Sequence, residues 1–141
     1  MEAVAEIPKY NLNEEEEKKL ILREYRSLLR VLKSRLKPGD KQLLRTAFEM
    51  AAEAHETMRR KTGEPYILHP IAVAMIAADE IGLGVRSTIC ALLHDTVEDT
   101  DITLEDIKRE FGNEIAKNRN KSLNDFFIFR FIQPLFRISH F

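Results

Sequence analysis

The chain has 141 residues, the length of one domain, with enough material to bury a core. It is 44% hydrophobic and 32% charged with a net charge of −1, an ordinary globular balance that offers no bulk attraction to nucleic acid or an anionic membrane. A single cysteine, Cys90, excludes an internal disulfide framework and points to a reducing cytoplasm, and no apolar run reaches the roughly 18 residues needed to cross a bilayer.

Met1-Glu2-Ala3-Val4-Ala5-Glu6 lacks the basic start and apolar core of a signal peptide, and residues 1–12 have few apolar groups to hold them down. The spacing predicts a helix from Asn13, which can cap it, with Glu14 to Glu17 at the positive end of its dipole as a solvated acidic face. Leu20, Ile21, Tyr25, Leu28, Leu29, Leu32 and Leu36 follow at three- and four-residue steps. Lys37-Pro38-Gly39-Asp40 reads as a turn, with Asp40 able to cap the next helix. That helix carries Leu43, Leu44, Ala47, Phe48, Ala51, Ala52 and Ala54, a stripe small enough for close helix approach, and ends at His55. A lone histidine on an apolar edge is read as packed with one hydrogen bond, not as a ligand.

Arg59 to Tyr66 is a loop broken by Gly63 and Pro65. Its three consecutive cations are either a solvated surface run or, so close to His69, a surface for a polyanion on which a guanidinium can also stack a purine. Pro70 fits a first helical turn with His69 at the cap, and Ile71, Val73, Ala74, Ile76, Ala77 and Ile81 make a mostly buried helix that Gly82-Leu83-Gly84 ends. Ser87 or Thr88 starts the next helix, in which Cys90 reads as a small buried hydrophobe.

The stretch from Ala91 to Asp101 is the focus of the chain. It begins apolar and ends with one histidine and four carboxylates within residues 94–101. On a continuous helix Glu98 lies one turn beyond His94 and Asp99 one turn beyond Asp95, with Ala91, Leu92 and Val97 facing the core. Carboxylates crowded in this way repel unless a cation lies between them or a proton is taken up. A divalent metal is the simplest remedy, since imidazole and carboxylate are both good ligands. His94 and Asp95 cannot fill its inner shell, and His69 is the best further candidate. Thr103 to Asp106 then reads as a capping box opening a short helix that closes near Phe111-Gly112, and Asn113 can cap another.

Arg60-Lys61-Thr62-Gly63-Glu64-Pro65-Tyr66-Ile67-Leu68-His69-Pro70, followed by His94-Asp95-Thr96-Val97-Glu98-Asp99-Thr100, resembles the hydrolase domain of the RelA/SpoT (Rel) family within the HD phosphohydrolase superfamily. The likeness runs from about Leu43 to about Lys117 and implies an all-α HD-domain helical bundle, incomplete at its C-terminus. It implies Mn²⁺ held by His69, His94 and Asp95, with Glu98 and Asp99 orienting the attacking water or moving its proton. It also implies that Arg60, Lys61 and, less firmly, Thr62 hold the guanine nucleotide (p)ppGpp, whose 3′-diphosphate is removed to give GDP or GTP and pyrophosphate. Structural carboxylates at a helix end are the plainer reading of Glu98 and Asp99. Where the family has Ala-His-x-Gly-Gln, this chain reads Ala54-His55-Glu56-Thr57-Met58.

The expected organisation is a flexible stretch 1–12, a partial hydrolase domain 13–117 and an atypical tail 118–141. The tail holds six of the eight phenylalanines and its Phe126–Ile132 run fits no amphipathic period, an expected product of a frameshift or truncated gene, with a divergent C-terminal helix or a partner-binding segment as the alternative. The family's last metal-binding Asp has no counterpart, since Asp125, the only acid after Glu114, lies outside a matching helical setting. Two other readings stand beside hydrolysis of (p)ppGpp. One is an HD nucleotidase or phosphodiesterase for another nucleotide, and the other a non-catalytic remnant that binds nucleotide or a partner helix.

Overall fold

The computed structural model describes residues 10–80, 82 and 84–112, except for the side chain of Glu98. The expectations for residues 1–9, for Ile81 and Leu83, for a helix after Asn113 and for the tail lie outside the described residues.

Among the described residues six α-helices follow one another: α1 (Glu14–Leu32), α2 (Asp40–Ala54), α3 (Leu68–Met75), α4 (Val85–Leu93), α5 (Thr96–Asp99) and α6 (Leu104–Phe111). A 3₁₀ turn, Lys33–Arg35, extends α1, and a π-helical turn, Ile76–Glu80, extends α3. No strand occurs among the described residues; the one bridge pairs Arg59 with Pro65. The all-α expectation holds.

Local chemistry explains where the helices begin. The Asn13 side chain accepts from the Glu16 N–H at 2.8 Å while Glu16 reaches back to the Asn13 N–H, a closed capping box. Thr103 and Asp106 repeat the device at α6. At α2 the cap differs from expectation. Gly39, at φ +89°, holds the cap position, and Asp40 is already helical, its carboxylate accepting from the Lys37 N–H at 2.8 Å. The left-handed backbone that closes this turn suits glycine, so aspartate moves one place inward. Pro70 does sit in the first turn of α3, but Ile67 is the cap and His69 is helical. Likewise α4 starts directly after Gly84 rather than at Ser87 or Thr88.

Helix α4 lies at the centre, packed against α2 and α3, while α3 also packs against α1. Ile89, Ala91, Leu92 and Leu93 are buried, and Cys90 is buried and free. Tyr25 of α1 stacks flat on Phe48 of α2, ring centroids 4.2 Å apart, joining the outer helices. Arg35 donates to the Ala78 carbonyl at 2.8 Å, satisfying an acceptor in the π-helical turn. Glu17 departs from the expected solvated acidic face: it is buried and accepts from Arg59 at 2.6 Å, tying α1 to the loop before α3. Among the described residues no helix is long and apolar enough to cross a membrane.

Candidate metal centre

The apolar face that buries α4 carries its C-terminus into the interior, and there the helix stops at Leu93. His94 and Asp95 form a turn, and the separate short helix α5 begins at Thr96. The expected helical continuation to Asp99 is therefore replaced by two helices with a joint at His94 and Asp95. Part of the expected stacking survives, because the Asp99 N–H still reaches the Asp95 carbonyl at 2.8 Å. Both residues of the joint keep right-handed helical backbone and are buried, while Asp99 is exposed.

His69, in the first turn of α3, arrives from a second helix, also buried. Its Nε2 lies 3.4 Å from Asp95 Oδ2, and His94 Nε2 lies 3.1 Å from Asp95 Oδ1. One ligand atom from each of the three residues falls within 4.8 Å of the others. His69, His94 and Asp95 are thus brought together although 25 residues separate the two histidines in sequence.

The His94 ring shows what this cluster requires. Its Nδ1 is 2.7 Å from the Ala91 carbonyl, which can only accept, so the proton is assigned to Nδ1. In the neutral ring Nε2 then bears a lone pair facing the Asp95 carboxylate at 3.1 Å, out of water. Two such acceptors are stable together only with a positive species between them, a proton or a metal ion. Ligand atoms about 2.0–2.2 Å from one ion, at right angles, lie roughly 3 Å apart. The donor set and spacing fit a divalent cation.

Burial opposes the charge on Asp95, but where protons rather than an ion lie between it and the imidazoles, hydrogen bonding to His69 and His94, with Tyr66, outweighs it and holds the carboxyl far below its usual range. The Tyr66 hydroxyl donates to Asp95 Oδ2 at 2.9 Å and lies 3.4 Å from Asp99 Oδ2. Burial, and then the charge of Asp95, pushes its pKa well above that of an ordinary phenol, so it stays protonated. Sequence reasoning quoted Tyr66 only as part of a motif. The available signal was its position three residues before His69, a spacing that shares a face once the chain coils.

Among the other candidates, His55 is buried, its Nδ1 2.8 Å from the Ala51 carbonyl and its ring stacked on Tyr66, in keeping with the packing role. Arg60, Lys61 and Thr62 lie on the tight turn leading into Tyr66, closed by Gly63 N–H to the Arg60 carbonyl and Arg60 N–H to the Glu64 carbonyl. Lys61 and Thr62 are exposed, and the Arg60 guanidinium, mostly covered, stands 4.0 Å from the Glu64 carboxylate. Glu98 contributes backbone to α5, and its side chain lies outside the described residues.

Residues 47–117 match the family model described as HD domain. A guanosine-3′,5′-bis(diphosphate) 3′-pyrophosphohydrolase of Aquifex aeolicus is 50% identical over 80 residues, 57% of this chain and 11% of that protein. A probable GTP pyrophosphokinase of Mycobacterium leprae is 49% identical over 74 residues, 52% of this chain and 9% of the relative. The bifunctional (p)ppGpp synthase/hydrolase SpoT of Escherichia coli is 41% identical over 93 residues, 66% of this chain and 13% of its own length. The chain therefore spans about a tenth of the length of these relatives.

Proposed function

We propose, for a chain that belongs to the HD domain family and carries the HD domain of a RelA/SpoT-type protein, a metal-dependent phosphohydrolase that removes the 3′-diphosphate of (p)ppGpp. The products are GDP or GTP and pyrophosphate, the setting is the cytoplasm, and the ion is Mn²⁺. The observation that carries this reading is the convergence of His69, His94 and Asp95.

His69 and His94 would hold the ion through Nε2, and Asp95 through a carboxylate oxygen. When bound, such an ion acidifies water and offsets phosphate charge. The chain supplies the rest. Arg60 and Lys61, with Thr62 beside them, bind the guanine nucleotide, the cations matching its phosphates and the Arg60 plane able to stack on the base. Glu98 and Asp99 orient the attacking water and take up its proton. The supporting geometry is that α5 begins directly after Asp95, so both carboxylates follow the cluster within four residues. Three protein ligands leave coordination positions open, as catalytic metal sites require.

The test is release of pyrophosphate from (p)ppGpp by the purified chain with Mn²⁺, expected with parent and abolished by His94→Ala. No release while Mn²⁺ and nucleotide both bind would overturn hydrolysis in favour of a non-catalytic remnant. That second reading draws support from the three-ligand count among the described residues.

A further inference from the structure

Tyr66 touches the cluster without belonging to its ligand set. Its ring lies between two imidazoles: His55 stacks at 4.8 Å and 28°, and His69 meets it edgewise at 5.7 Å and 60°. The backbone is held as well, with Tyr66 N–H on the Met58 carbonyl at 3.0 Å and its own carbonyl accepting from His69 N–H at 2.9 Å. His55 is in turn fixed at Nδ1 by the Ala51 carbonyl of α2. The phenol is therefore braced on two sides, and its hydroxyl is delivered to Asp95 Oδ2 at 2.9 Å.

We propose that Tyr66 is a positioning residue for the metal centre, its hydroxyl fixing the Asp95 carboxylate in the orientation that a divalent cation needs. The proposal rests on the metal-centre reading above. The contacts of Asp95 differ in whether they would survive the entry of an ion. His69 and His94 face Asp95 through Nε2, and those are the atoms an ion takes. Their direct contacts with Asp95 are then given up, whereas the Tyr66 hydroxyl competes for no ligand atom and keeps its bond to Oδ2. A carboxylate that offers one oxygen to an ion is otherwise able to turn about its Cβ–Cγ bond. A donor locked onto Oδ2 stops that turn and leaves Oδ1 on the His94 side. The hydroxyl carries one proton, and the shorter distance assigns it to Asp95.

The test is Mn²⁺ alone titrated into the 141-residue chain and into Tyr66→Phe, which keeps the ring and removes the oxygen. Calorimetry is expected to show affinity about ten-fold or more weaker in the variant, the usual effect of losing a group that orients a ligand. The melting temperature without metal separates this from a general loss of fold, and the rise in Tm on adding Mn²⁺ is expected to shrink. Equal affinity in both chains overturns the role of Tyr66 and leaves the metal centre standing. No binding by the parent overturns both. Should Tyr66→Phe not fold, the parent still decides: Mn²⁺ is expected to perturb tyrosine absorption, and a flat difference spectrum overturns the proposal.

Discussion

His94 Nε2 and Asp95 Oδ1 face each other at 3.1 Å, although the two residues are neighbours in the chain. Successive side chains of a helix diverge by about 100°, and both residues keep right-handed helical backbone, so the approach is made by the side chains themselves at the joint between α4 and α5. Asp95→Asn keeps the shape and replaces one carboxylate oxygen by a donor amide that cannot serve an ion. Mn²⁺ affinity is expected to fall by about 100-fold, at or beyond the upper end of what orienting groups contribute. Isothermal titration measures it, and affinity within a factor of three of the parent would remove Asp95 from the ligand set.

Leu92 is fully buried on α4, where α2 and α3 close over it. Leu92→Ala leaves a cavity and is expected to cost about 3 kcal/mol of folding stability. Urea unfolding followed by circular dichroism gives the value. A cost below about 1 kcal/mol would mean that the surrounding helices close the space.

Gly63 has φ +97° in the turn that bears Arg60 and Lys61, and a Cβ placed there meets only the Tyr10 ring at 3.6 Å, an ordinary contact. Backbone strain, not crowding, is therefore what Gly63→Ala introduces, about 1–2 kcal/mol. The variant is expected to lower stability by that amount. It also disturbs the N–H of residue 63 on the Arg60 carbonyl, now 2.8 Å. If Arg60 and Lys61 hold the nucleotide, binding of GDP should weaken while Mn²⁺ affinity is unchanged.

The hydrogen bond from Arg59 holds the Glu17 carboxyl below its ordinary range, against the opposing effect of burial. A carboxyl whose pKa is lower in the folded chain than in the unfolded one stabilises the fold above the unfolded value, about 4.3. That contribution disappears as pH falls through the folded value. Glu17→Gln is thus expected to melt below the parent at pH 7, with the gap closing from about pH 5 downward. Thermal melts of both chains from pH 7 to pH 3 measure it, and a gap independent of pH would show that packing, not charge, makes the difference.

Much of this protein could be read directly from residue order. Helix starts at Asn13 and Thr103 follow from side chains that reach their own backbone three residues on, a purely local matter. The apolar periodicity marked α1, α2 and the burial of α4 for the same reason, and the two separated motifs carried the candidate ligands His69, His94 and Asp95. Tertiary structure decided what depends on partners distant in sequence. Glu17, one of four similar glutamates, is singled out because Arg59 folds back over α1. At the joint between α4 and α5, Asp95 meets His69 from α3 and the hydroxyl of Tyr66 from the preceding turn. Periodicity records which face of a segment avoids water; which polar groups meet on the buried side is set by how the helices pack.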